Sequence, residues 1–250
     1  MFFGEPYVID LPSAEGKITV YSPTIGDIII LGEKRFYQTL NIFICNTTQY
    51  RLVLWEAGID WNNISDFMLF TMLYSQIDKE VSKLMFGDLD FSKFVPMKKH
   101  INEEDVEGEL ILWNDDDDIE INADVYNHFS QYLRAVFNTY PEEKFTNDPT
   151  LKQWYITKDK RKIENDKKLA EIGKLKSDGS IKSVISALVN HPGFKYKLKE
   201  LKEVGVAEFY DSVKRLQVYE QSTALMKGMF SGFIDSKSIK PDEYNFMRDI

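Results

Sequence analysis

Apolar residues recur at helical spacing along most of this chain, and only a few short stretches alternate. In "ADVYNHFSQYLRAVF", Val125, Phe129, Tyr132, Leu133, Val136 and Phe137 fall on one stripe of a helix. In "DFMLFTMLYSQI", Phe67, Leu69, Phe70, Leu73, Tyr74 and Ile77 cover much of the circumference, which places that helix at the centre of a core. "VAEFYDSVKRLQVYEQSTALMKGMFSG" reads as a long amphipathic helix spaced by Phe209, Val213, Leu216 and Tyr219. Alternation is confined to "YVIDL", "GKITVYSP", "GELILW" and "IEIN". The pattern predicts an α+β fold, predominantly helical. A small antiparallel sheet is supplied by residues near 7–21 and 109–121, and the C-terminal part is all helical.

Punctuation residues divide these segments. Thr24, Ser65 or Asp66, and Asn122 precede periodic runs and can cap them; Gly32 breaks or bends the first run, and Gly58 ends another. The first strands turn at Pro12 to Gly16, and residues 81–96 suggest short strands and turns. "NTYPEEKFTNDPT" (138–150), polar with two prolines, is the best boundary. It separates an acidic α+β region, 1–140, from a helical region, 141–250, unless the two form one continuous domain. Beyond it lie a long charged helix from Leu151, a compact helix closed by His191-Pro192-Gly193, the long amphipathic helix, and a short tail of one or two turns.

Cys45 is the only cysteine, so no disulfide within the chain can hold the fold. Its apolar neighbours give it the part of a small hydrophobe. The start "MFFGEPYVIDLP" lacks the basic and apolar regions of a secretory leader, and no run approaches the roughly 18 apolar residues that span a bilayer. The net charge of −9 divides as −13 over residues 1–140 and +4 over 141–250. An acidic first half disfavours nucleic acid there. The expectation is a protein that contacts neither nucleic acid nor membrane.

Motifs for chemistry are missing. Asp115 to Asp118 do not make an EF-hand loop: counting from Asp116 puts Ile121 where glycine is needed and Asn127 in place of the final glutamate. They read as the solvated tip of a hairpin. His100, His128 and His191 have no zinc spacing, and no phosphate loop, dinucleotide fingerprint or nucleophile elbow occurs. Asp124 with Glu142 and Lys144 is the nearest approach to a metal-dependent nuclease pattern, and chance accounts for it. The basic run from Lys158 to Lys168 is interleaved with carboxylates, as on a solvated helix. No catalytic, cofactor-binding or metal residue is assigned. What rises above background is "TALMKGMFSGFI", whose flexible methionines and glycines suit a surface that receives another chain. Leu225, Met226, Met229, Phe230 and Phe233 are its partner-binding candidates.

Five stretches, in order, carry a family resemblance: "YSPTIGDIIILGEKRFYQTL", "GIDWNNISDFMLF", "WNDDDDIEINADVYNHFSQYLRAVF", "SVISALVNHPGFKYKLKELKEVGVAEFYDSVKRLQ" and "LMKGMFSGFID". Together they resemble tail proteins of bacteriophages that infect Gram-positive bacteria, described as tail assembly chaperones. The resemblance covers most of the chain and brings no catalytic residues. It implies a non-enzymatic factor in the host cytoplasm. Such a factor binds the tape-measure protein and keeps it soluble while tail-tube subunits polymerise; a homo-oligomer is left open. The alternative is a structural virion component at a tail, neck or baseplate interface.

Overall fold

Thr24 starts the helical part of the molecule by a reciprocal cap. Its hydroxyl accepts the Asp27 N–H at 3.1 Å, and the Asp27 carboxylate accepts the Thr24 N–H at 2.8 Å. The computed structural model describes residues 4–12, 16–100, 108–173 and 180–248. Strands β1 (Tyr7–Asp10) and β2 (Lys17–Val20) come first, then α1 (Ile25–Leu31), α2 (Glu33–Ile44), α3 (Arg51–Glu56), α4 (Asp66–Leu73) and α5 (Lys79–Phe86). Strands β3 (Val95–Lys99), β4 (Glu109–Asn114) and β5 (Ile119–Ile121) follow. Helices α6 (Ala123–Val136), α7 (Pro149–Glu171), α8 (Ile181–Val189), α9 (Val206–Phe230) and α10 (Pro241–Tyr244) complete the order.

The fold is α+β as expected, but the strands do not join. β1 and β2 form one antiparallel hairpin with Ile9 opposite Ile18; β3-β4-β5 form a second, separate sheet. The Ser13–Glu15 part of the expected first turn, and the acidic residues 101–107, lie outside the described residues. The β4–β5 turn carries the four exposed aspartates, with Asp118 at φ +54°, so the hairpin reading holds. β3 was not foreseen as a partner of β4. It is exposed throughout, and Pro96 deprives the free edge of a donor. The 81–96 reading also needs correction. Asp78 accepts the Glu80 and Val81 N–H groups, and α5 follows with Val81, Ser82, Met85 and Phe86 buried.

The main core gathers rings from the middle of the chain around Phe129. Phe43, Phe70, Phe86 and Tyr126 have centroids 6.0, 5.7, 5.3 and 5.3 Å from it. The same cluster takes Ile181, Ile185, Leu188, Val206 and Phe209 from α8 and α9. Backbone bonds tie the two ends of the chain as well: Ile25 N–H donates to the Val204 carbonyl at 3.0 Å, and Val206 N–H to that of Pro23 at 2.9 Å. Gly26 permits this approach, since a β-carbon there would stand 2.5 Å from the Lys202 carbonyl oxygen. Glu33 caps α8 across the chain, accepting from Ser180 Oγ at 2.7 Å and Ile181 N–H at 2.6 Å.

A smaller cluster of Cys45, Leu52, Leu54, Trp61, Leu69 and Ile156 sits apart. It holds α7, whose one buried residue is Ile156. Charged clamps complete that docking: Arg51 is bidentate to Asp159 at 2.6 and 2.7 Å, Lys152 meets Asp60, and Lys160 meets Glu56 at 3.1 Å. Residues 139–148, ahead of α7, have neither helix nor strand, yet side chains fasten them. Asn46 donates to the Glu142 carbonyl (3.1 Å), Trp61 to that of Lys144 (3.1 Å) and Asn62 to that of Thr146 (2.6 Å). Thr48 accepts the Lys144 N–H at 3.0 Å. The polar composition of this stretch thus serves as a strap across the turn between α2 and α3 and the loop before α4.

One surface group sets an acid limb to stability. Asp90 accepts from Lys79 Nζ at 2.6 Å and from Ser92, and these hydrogen bonds, the lysine's first, hold its pKa at about 2. Its contribution is present above the unfolded value of about 3.9 and is lost as pH falls through the folded one. Asp90→Asn is therefore expected to flatten the fall in stability between about pH 4 and pH 2, as read by urea titrations across that range. An unchanged slope there would contradict the assignment.

Candidate functional site

Helix α9 begins inside the core and ends outside it. Val206, Ala207 and Phe209 are buried at its start, while Phe230 at its last turn is 88% exposed. The reason is what covers it. Up to Leu216 the helix packs against the main core; beyond that it meets the C-terminal tail, with Glu220 also 3.6 Å from His191 of the turn after α8. Val218 and Ser222 are buried, and Ser222 Oγ donates to the Glu243 carbonyl of α10 at 3.5 Å. Leu225 and Met229 continue that face at helical spacing.

The helix then stops in a defined way. Gly232, at φ +77°, donates to the Met229 carbonyl at 3.1 Å, and Phe233 N–H donates to that of Gly228 at 3.0 Å. This double bond pattern is a Schellman cap, in which the left-handed residue is glycine because a side chain there is strained. Ile234 folds back over Gly228, where a β-carbon would come within 2.5 Å of its Cδ1. The cap reverses the chain and projects Phe233, 91% exposed, beside Phe230 in sequence and free of the core.

Of the five predicted residues, Phe230 and Phe233 are fully presented to solvent, while Leu225, Met226 and Met229 are half-buried. The structure adds residues that sequence reasoning missed. Met247 is 73% exposed in the tail, and Phe246 stacks edge-on to Tyr219 with centroids 5.9 Å apart. The tail is pinned there by Arg215, which donates to the Arg248 carbonyl at 2.7 Å, and by Arg248, which donates to those of Asp242 and Glu243. Phe194, Leu216, Tyr219 and Phe246 wall a cleft of about 530 Å³ between α9, the turn after α8 and the tail. Phe246 and Met247 sit in a tail too short for periodicity, so nothing in the pattern marked them.

Charged groups rim this cleft. Tyr196 and Lys195 both reach Glu208, the lysine at 3.4 Å. The Lys195 ammonium is held above its usual pKa, first by its contact with Tyr196 and then by Glu208. Tyr196 is raised too, by desolvation first and by Glu208 next. Asp211, Ser212 and Arg215 complete the polar side of the lining, with Arg215 4.0 Å from Asp211, and the rest is phenyl, phenol and aliphatic surface. The candidates for chemistry lie elsewhere and apart. Burial pushes the Cys45 thiol up to about 12, with Asp66 adding to it, so it is not a thiolate near neutral pH. Glu142 pairs with Lys144 at 2.8 Å on the strap, and Asp124 lies in the first turn of α6. Among the described residues, no group of three or more His, Cys, Asp or Glu is placed to hold a metal ion, and no helix is long and apolar enough to cross a membrane. Searches with protein-family models, among curated proteins and among solved structures found nothing that matches this chain.

Proposed function

We propose that this chain is a non-enzymatic tail assembly factor of a bacteriophage, which binds the tape-measure protein and keeps it soluble in the host cytoplasm while the tail is built. The resemblance of five stretches to such proteins suggests the process. The observation that carries protein binding is the exposure of Phe230 and Phe233 at the capped end of α9. Two phenyl rings held almost wholly in water, next to methionines that can repack, are costly unless another apolar surface covers them in use. The acidic first half would keep a complex soluble.

Co-expression with a tape-measure fragment tests this. The wild-type chain is expected to raise the soluble yield of the fragment and to co-purify with it. Phe230→Asp with Phe233→Asp should abolish both effects. It should leave the chain's own unfolding free energy within about 0.5 kcal/mol, because neither ring is buried. No complex and no gain in solubility with the wild type would sink the reading. Recovery of the chain as a fixed component of purified particles would favour a structural role.

A further inference from the structure

We infer that the outer edge of β2 receives an extended segment of another polypeptide as an added strand, and that basic residues flank the apolar positions of that segment. The site is separate from the α9 surface. Within the first hairpin, Leu11 N–H donates to the Gly16 carbonyl at 2.9 Å, and the register continues through Ile9 opposite Ile18 and Tyr7 opposite Val20. The residues of those pairs bond to each other. Lys17 and Thr19, which lie between them, therefore turn their N–H and C=O groups away from β1. Tyr21 has the same parity, and its outward N–H is taken by the Met85 carbonyl at 2.8 Å. Beyond that bond the edge is open: among the described residues, nothing hydrogen-bonds to the backbone of Lys17 or Thr19. β3 ends the other sheet, but it carries Pro96 on its exposed edge, and β2 has no such block.

A cleft of about 370 Å³ lies beside this edge. Thr19 and Tyr21 line it from β2, Gly87 and Leu89 from the turn after α5, and Asp117 and Ile119 from the turn into β5. Its β2 wall offers backbone donors and acceptors at every second residue, a repeat of about 6.7 Å. An extended chain matches that repeat, whereas a helix uses its backbone groups internally. Alternate side chains of the added strand fall on the core side, where Leu89 and Ile119 are apolar and half-buried. Charge then selects the flanks. Asp10, Asp88 and Asp115 to Asp118 make six carboxylates around the cleft and the adjoining hairpin tip. Three lysines meet three of them: Lys17 pairs with Asp10 at 3.4 Å, Lys83 with Asp88 at 3.5 Å and Lys93 with Asp116 at 3.0 Å. Six less three leaves Asp115, Asp117 and Asp118 without a cation among the described residues. The neighbouring pairs Lys79 with Asp90 and Lys99 with Glu120 cancel. Lysine or arginine beside the apolar positions of the incoming strand is complementary to that excess of negative charge.

Short synthetic peptides of alternating valine and threonine, one ended by lysines and one by glutamates, provide the test, read by fluorescence anisotropy against the full chain. The lysine peptide is expected to bind about tenfold more tightly than the glutamate peptide at low salt, and the difference should collapse at high salt. Two further copies of the lysine peptide are methylated on alternate backbone nitrogens, each on a different set. At least one of them should lose about tenfold or more, because the side chains and charge are kept and the strand's donors are not. Thr19→Pro removes an outward N–H without touching the bonds to β1, and it should weaken binding as much. Val8→Pro, opposite Thr19 and outward on β1, should keep full binding, with circular dichroism showing both folds retained. If Thr19→Pro does not fold, the methylated peptides decide. No binding of the lysine peptide, or equal or tighter binding of the glutamate peptide, would overturn the inference. So would full binding by both methylated copies or by a folded Thr19→Pro chain. Self-association of the wild type abolished by Thr19→Pro would mean that a second copy fills the edge, which also overturns it. Phe230→Asp with Phe233→Asp should leave peptide binding unchanged; loss of binding there would place the peptide on α9 instead. Failure at the β2 edge leaves the α9 reading standing.

Discussion

Phe129→Ala is expected to lower the unfolding free energy by about 3–5 kcal/mol, the usual cost of emptying a fully buried aromatic site. Phe129 has no exposed surface and stands among four rings, all within 6.0 Å between centroids. Those neighbours come from α2, α4, α5 and α6 itself, so a void there cannot be closed by moving one helix. A loss of this size is a large part of the roughly 5–15 kcal/mol that separates folded from unfolded domains. Urea unfolding followed by far-ultraviolet circular dichroism measures it, with an unchanged slope showing that the unfolded reference is the same. Phe129→Leu should cost well under half as much, because most of the volume is kept. A loss below about 1 kcal/mol for the alanine variant would show that the ring cluster is not packed as described.

Trp61→Ala should cost a similar amount, about 3–5 kcal/mol if the smaller cluster unfolds with the rest, but its local effect differs. The indole is fully buried, donates to the Lys144 carbonyl at 3.1 Å and lies beneath Lys152 Nζ, 5.6 Å from the ring. It therefore joins the strap, α7 and the loop before α4. Hydrogen exchange in the variant should quicken first over residues 142–160, where the strap and the first half of α7 depend on it. Trp61→Phe keeps most of the packing and removes the donor, at a cost of about 1–2 kcal/mol. Uniform acceleration along the whole chain in Trp61→Ala would mean that the two clusters open as one unit.

Local signals were read well where the cause was local. Thr24, Ser65 and Asn122 cap their helices as their chemistry suggested, and Gly32, at φ +90°, separates α1 from α2. The aspartates turn between β4 and β5 because carboxylates tolerate a turn in water. Misreadings came from short elements. Eight residues of α5 are too few for a period to stand out against the glycine and aspartates that follow, although Val81 and Met85 are one turn apart on its buried face. Alternation and turn residues paired β1 with β2 and β4 with β5, but they did not reveal β3 or that the two hairpins stay apart, since one strand's pattern is compatible with many partners; the result is two sheets in place of one.

The same limit applies to the candidate site. Spacing alone determined that α9 is a helix and that its end is rich in methionine and phenylalanine. Spacing could not separate Phe209, which is buried, from Phe230, which is not; the methionines and glycines around Phe230 set that end apart by composition, without fixing how far it is exposed. Only the tertiary structure decided that difference. The core that receives Phe209 is assembled from residues 9 to 209, and it runs out before α9 does. Burial depends on what distant segments bring alongside, whereas helicity depends on neighbours three and four residues away.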